Sequence, residues 1–150
     1  MEPRIESQEG FTVVGMLVRG KNDQGEIPRM WQALGPRVPE IEQRVAEDVA
    51  YGLSDNMDCE TGEFDYVAGF KVTGAASVPP GMVAREVPGG RYAVFTTTLP
   101  GLGETFKYAY NEWLPGSGYQ HRPAADLEIY DERFDPQDPD STFDVYVPIE

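Results

Sequence analysis

The segment Asp126-Leu127-Glu128-Ile129-Tyr130 holds the most distinctive grouping of reactive side chains in the sequence. Read as a strand, its period of two puts Asp126, Glu128 and Tyr130 on one face and Leu127 and Ile129 on the other. So short a strand does not leave both faces to solvent. A carboxylate enclosed by apolar groups costs several kcal/mol unless it is hydrogen-bonded, neutralised or paired, and desolvation raises its pKa. A positively charged ligand removes that penalty, which makes Glu128 the leading candidate for binding chemistry. The competing reading leaves Glu128 on an exposed edge, or pairs it with Arg85, Arg91 or Arg133.

Aromatic faces stabilise a nearby cation by about 0.5 to 2 kcal/mol each, and several of them around one charge make a cage. The chain has eight tyrosines, seven phenylalanines and two tryptophans. Tyr130 shares the face of Glu128, and Tyr51, which precedes it by 79 residues, is its expected companion across a cleft. Trp113, Tyr92, Phe95 and Tyr146 are the next candidates, although core packing is the commoner role for each of them alone. Trp31 and Phe106 read as core. Met16, Met30 and Met82 read as gap fillers.

Other chemistries find little support. One cysteine, Cys59, excludes a disulfide framework and a multi-cysteine metal site, and its neighbours Asp58 and Glu60 raise rather than lower a thiol pKa. The single histidine, His121, has no carboxylate or cysteine at a metal-ligand spacing and reads as a surface loop residue. The glycine-rich pieces Pro88-Gly89-Gly90 and Pro100-Gly101-Leu102-Gly103 lack the phosphate-binding patterns and read as turns. No catalytic residue, metal or cofactor is expected.

These side chains need a scaffold, and 150 residues with 40% apolar content suffice for one domain over residues 1–150. Twelve basic against 26 acidic residues give a formal charge of −14, which repels nucleic-acid phosphates and attracts cations. Direct nucleic-acid binding is not expected. The N-terminal MEPRIESQEG lacks the apolar core of a signal peptide, and no apolar run reaches the roughly 18 residues of a membrane span. The expectation is a soluble, cytoplasmic chain.

The element pattern repeats. Phe11–Val18 reads as a strand, Ile27–Val49 as a helix split by Gly35-Pro36 and Pro39, and Val49–Leu53 and Phe64–Val72 as strands. After Pro79-Pro80-Gly81 the order resumes. Strands over Met82–Val87 and Arg91–Thr98 precede a helix over Leu102–Leu114 stopped by Pro115-Gly116, then strands over Leu127–Tyr130 and Phe143–Ile149. The halves, about 8–76 and 82–150, align at an offset near 79 that pairs Trp31 with Tyr110 and Phe64-Asp65 with Phe143-Asp144. Internal duplication explains this better than chance. The fold expected is α+β: a duplicated strand–helix–strand–strand unit with pseudo-twofold symmetry, antiparallel three-stranded layers and a central ligand cleft. At this offset Glu128 replaces Val49, so a charge breaks the internal pattern.

Four phrases carry a family likeness: Phe64-Asp65-Tyr66-Val67-Ala68-Gly69-Phe70, Trp113-Leu114-Pro115-Gly116-Ser117-Gly118-Tyr119, Leu127-Glu128-Ile129-Tyr130 and Phe143-Asp144-Val145-Tyr146-Val147-Pro148-Ile149. Their order and spacing resemble the GyrI-like effector-binding superfamily, which includes drug-sensing domains of transcription activators of the BmrR and Rob types, the free-standing gyrase inhibitory protein and cassette-encoded drug binders. The resemblance implies a ligand cleft on the pseudo-dyad and a glutamate that pairs with lipophilic cations, with Glu128 at the matching position. It implies a stand-alone, non-enzymatic binding protein for small organic cations. Two alternatives stay open: a hydrolase of reactive genotoxins using the same glutamate, and a protein-interaction module like the gyrase inhibitory relative. The loop acids Asp131, Glu132, Asp135, Asp138 and Asp140 motivate the last, its protein partner being unknown. No helix-turn-helix segment is legible before the first strand.

Overall fold

The chain was analysed as a computed structural model, which describes residues 2–46, 48–74 and 77–150. Runs of β-branched and aromatic residues become strands, and the stretches punctuated by Gly and Pro become helices and turns. In chain order these are β1 (Arg4–Gln8), β2 (Phe11–Gly20), α1 (Glu26–Leu34) with a following 3₁₀ turn (Gly35–Glu40), β3 (Ala50–Asp55) and β4 (Phe64–Val72). Then come β5 (Val83–Val87), β6 (Gly90–Thr98), α2 (Leu102–Tyr108), a π-helical turn (Ala109–Trp113), α3 (Leu114–Ser117), β7 (Asp126–Tyr130) and β8 (Thr142–Ile149).

All eight strands join one antiparallel sheet in the order β1-β6-β8-β7-β3-β4-β2-β5. Both helical segments cover the same face of it. On one side α1 closes over Val14, Tyr66, Ala68 and Phe70, and on the other the α2–α3 segment closes over Ala93, Phe95, Phe143 and Val145. The opposite face has its own apolar cluster, in which Val13, Leu53, Val67, Tyr92, Leu127 and Tyr146 meet although their strands span the sheet. The sheet therefore curls around that cluster. Tight crossing of β2 over β4 occurs at Gly15↔Gly69, where a Cβ on Gly15 would stand 2.0 Å from the Ala68 carbonyl oxygen.

The fold is α+β and reads alike from either end of the sheet, as expected of a duplicated unit with a pseudo-twofold axis. The two expected layers meet edge to edge through β3 and β7, whose hydrogen-bonded pairing merges them. Each half also lends its neighbour an outer strand, because β1 pairs with β6 and β5 with β2. Strand β1, with the polar sequence RIESQ, has no period-two apolar signal and is absent from the sequence expectation. The expected end of the first repeat, at 76, lies outside the described residues.

Register corrects one inference. Tyr51 pairs with Gly69 just as Leu127 pairs with Tyr146, and Gly69 pairs with Gly15 as Tyr146 does with Val94, so the counterpart of Glu128 in the first half is Gly52, not Val49. The offset of 79 holds from β2 to β6 but slips to 77 from β4 to β8 and to 76 from β3 to β7, because the connections between these strands differ in length. Helix ends differ too. The first helix stops at Leu34, and Gly35–Glu40 continues as 3₁₀ turns containing Pro36 and Pro39. In the second half, helical turns run past Pro115 to Ser117, since the widened π turn before Pro115 absorbs its missing N–H and bulky ring; Gly118, at φ 84°, ends them. No helix of the described residues is long and apolar enough to cross a membrane.

Candidate functional site

Strand β7 runs beside the pseudo-dyad, which passes through the Gly52↔Glu128 pair at the centre of the β3–β7 ladder. On its helix-covered face stand Asp126 and Glu128, opposite Ser54 and Gly52 of β3. The second half thus places acids where the first half has the methyl group of Ala50 and, at Gly52, no side chain at all. A cavity of about 810 Å³ opens over them, between the helices. Ile27, Phe64 and Tyr66 line it from the first half, and Leu102, Phe106 and Tyr110 from the second.

Glu128 is 6% exposed. Its Oε1 accepts hydrogen bonds from the Tyr66 hydroxyl, at 3.0 Å, and from the Tyr130 hydroxyl. Tyr66 in turn accepts a 3.3 Å hydrogen bond from the Trp31 indole nitrogen. Among the described residues, Oε2 has no hydrogen-bond partner and the carboxylate has no basic one. Arg85 pairs instead with Asp65, and Arg133 with Asp131 and Asp144, so the arginine pairings considered for Glu128 are not made by these side chains. Burial raises the Glu128 pKa against the opposing pull of the two phenols.

Asp126 forms the second acidic position. Its partner is the Tyr110 hydroxyl, presented by the π turn of the second helical segment. Asp126 keeps part of its surface open to the cavity. Its pKa is nonetheless pushed up to about 7, first by desolvation and then by the like charges of Glu128 and Asp55 against the Tyr110 hydrogen bond. Asp55 stands at the cavity edge with Asn56 and Met57, and Lys21 and His121 are the basic residues among the described lining.

The expected aromatic ring around Glu128 is only partly assembled. Tyr130 touches Glu128 and packs edge-on to Trp31, with ring centres 5.7 Å apart. Tyr51 pairs with Ile129 on the other face of the sheet and packs on Phe11. Tyr92 and Tyr146 lie on that far face as well, edge-on to each other at 5.7 Å. Phe95 and Trp113 pack together beneath the second helical segment, on the near face but outside the cavity lining. One residue of spacing decides this, since a shift by one turns a strand side chain to the opposite face.

Conversely, Phe106 lines the cavity although its helical spacing reads as core, and the exposed His121 does so at the rim, its ring edge-on to Tyr110 at 5.4 Å. Tyr66, Tyr110 and Asp126 were not singled out as binding residues. Tyr66 corresponds in register to Phe143, so a ring carrying a hydroxyl stands where the other half has an apolar ring. Among the described residues no group of His, Cys, Asp and Glu could hold a metal ion, and Cys59 is exposed. The loop acids mostly serve their own loop: Asp131 pairs with Arg133, and Asp135 and Asp138 accept backbone hydrogen bonds within the turn.

Comparison with known proteins places this arrangement. The chain is 40% identical over 152 residues to the transcriptional regulator BrlR of Pseudomonas aeruginosa, covering 99% of this chain and 56% of BrlR. It therefore spans little more than half the length of that relative. Among solved structures, SAV2435 bound to tetraphenylphosphonium superposes with a TM-score of 0.78 at 14% identity, covering 100% of this chain and 94% of SAV2435. EcmrR in its complex with DNA superposes with a TM-score of 0.77 at 13% identity over 99% of this chain and 57% of EcmrR. The family model for the GyrI-like small molecule binding domain matches residues 1–150, and the chain belongs to that family.

Proposed function

We propose that this small-molecule-binding domain takes up lipophilic organic cations, with Glu128 supplying the counter-charge. One observation carries the reading: Glu128 is buried at the floor of a large, mostly apolar cavity and has no basic partner among the described residues. A carboxylate so placed is held by two phenols on one oxygen, which moderates its desolvation without neutralising it. A delocalised cation brings the missing charge and covers Phe64, Phe106 and Leu102 with its apolar surface. Tyr66 and Tyr110 line the cavity beside it, their hydroxyls donated to Glu128 and Asp126. That SAV2435 shares the fold and binds tetraphenylphosphonium supports the ligand class. The role is binding rather than catalysis. Likeness to BrlR supports a sensing role, in which occupancy of the cavity is passed on to transcription.

Calorimetric titration with tetraphenylphosphonium and with the neutral triphenylphosphine oxide tests this. Glu128→Gln keeps an acceptor for Tyr66 and Tyr130 but removes the charge. It is expected to weaken the cation by about tenfold or more and the neutral compound little. Equal affinity of both proteins for tetraphenylphosphonium sinks the ionic claim, and loss of either compound from solution beyond stoichiometric amounts sinks the non-catalytic one.

A further inference from the structure

The geometry points to a second cation subsite at Asp126, so that the preferred ligands carry two positive centres, one held by Glu128 and one by Asp126. This rests on the proposed cation-binding function and narrows its ligand class. Asp126 and Glu128 are two residues apart on one strand face, which sets them about 6.5 to 7 Å apart along the strand. Both line the same cavity. Each has its own phenol support from a different element, Tyr110 for Asp126 and Tyr66 with Tyr130 for Glu128. Neither has a basic partner among the described residues, and Glu128, more than nine-tenths buried, keeps Oε2 unpartnered beside the cavity.

Separate support matters for the chemistry. Two acids sharing one proton satisfy each other and need one cation at most. Here no hydrogen bond joins the two carboxyls, because each binds phenols instead. Full neutralisation therefore takes two protons or two positive charges. A monocation at Glu128 leaves Asp126 to be protonated, whereas a dication replaces both protons.

Other charged groups at Asp126 are few. Asp55, at the β3 end, and Glu128 repel its negative form; Tyr110 donates to it; Lys21 at the rim is a fixed positive charge. His121, against Tyr110, has its pKa lowered by burial and by Arg122, so it is neutral at pH 7 and above. Between pH 7 and pH 8 the ionisation of Asp126 is therefore the main change at this end of the cavity; toward pH 6 protonation of His121 acts in the same direction, and Asp126→Asn separates the two. Ionised Asp126 favours the second positive centre, and the preference for a dication rises with pH.

Ethidium and propidium supply the test, since they share one aromatic cation and propidium adds a quaternary ammonium on a short arm. Fluorescence titration of the whole chain is expected to give propidium an advantage of about tenfold over ethidium at pH 8, shrinking to about threefold or less at pH 6. Asp126→Asn, which still accepts from Tyr110, is expected to bring the two dyes within about twofold at both pH values. Circular dichroism confirms that the variant is folded. Ethidium bound through Glu128 with no propidium advantage, or an advantage that survives Asp126→Asn, overturns the second subsite and leaves the first intact. If neither dye nor tetraphenylphosphonium binds, the cation-binding function itself fails and the second subsite with it.

Discussion

Gly52 stands directly across the strand pair from Glu128, and a Cβ built on it would lie 2.2 Å from the Tyr66 hydroxyl and 3.3 Å from Glu128 Oε1. The phenol that supports the buried acid thus occupies the space a side chain on β3 would need. Gly52→Ala must displace Tyr66, a fully buried ring with little room to move. The expected cost is about 1–3 kcal/mol in urea unfolding, with weakened tetraphenylphosphonium binding in the folded remainder. An alanine variant of wild-type stability and affinity would show that Tyr66 does not hold Glu128.

Asp126 predicts a pH dependence of stability. Its folded pKa of about 7 lies above that of an unfolded aspartate, so the folded state binds the extra proton. The contribution is fully present below about pH 4 and is lost as pH rises toward 7. Asp126→Asn escapes the loss. Its stability relative to wild type is expected to rise from pH 4 to about pH 7 and then level off in denaturant titrations, and a flat difference throughout contradicts the raised pKa.

Asp144 should behave oppositely. Burial tends to raise its pKa, but hydrogen bonds from Arg133, Thr96 and Arg4, at 2.9, 2.7 and 3.0 Å, outweigh it and hold the carboxyl below the usual range. Asp144→Ala is expected to cost about 1–3 kcal/mol at pH 7, discounted because both arginines are well exposed. Stability from a depressed pKa is present above about pH 4 and fades in acid, so the gap between variant and wild type should narrow at pH 3.

Two aromatic substitutions separate the faces of the sheet. Phe106→Ala removes a ring lining the cavity and is expected to weaken tetraphenylphosphonium about tenfold. Tyr51→Phe, on the far face against Phe11, is expected to change it less than about twofold. The reverse ranking, measured by calorimetry, would place the ligand on the wrong side of β3 for this proposal.

The two aromatics also mark how far the sequence is legible. Period-two alternation identifies β7 and puts Asp126, Glu128 and Tyr130 on one face, because that information is local to five residues. Which residues of β3 face Glu128 depends on cross-strand register, and a slip of one converts Gly52 into Tyr51. The constant repeat offset, sound from β2 to β6, misleads by two residues from β4 to β8 and by three from β3 to β7. Tyr110 reaches Asp126 from a π turn that helical spacing alone does not reveal. Strand β1 escapes notice because its polar residues hold their place through backbone pairing with β6.

The Gly52↔Glu128 axis has a consequence for how such a site can arise. Were the two halves separate, identical subunits, any acid introduced on one side of the axis would be copied on the other, and a second copy of the Glu128 carboxylate would stand where Gly52 stands now. The crowding at Gly52 leaves no room for that copy. Covalent linkage frees each half to change alone, so one can keep the void into which Tyr66 reaches while the other acquires the charge. In this domain the asymmetry of the ligand site is a property that only a fused pair can evolve.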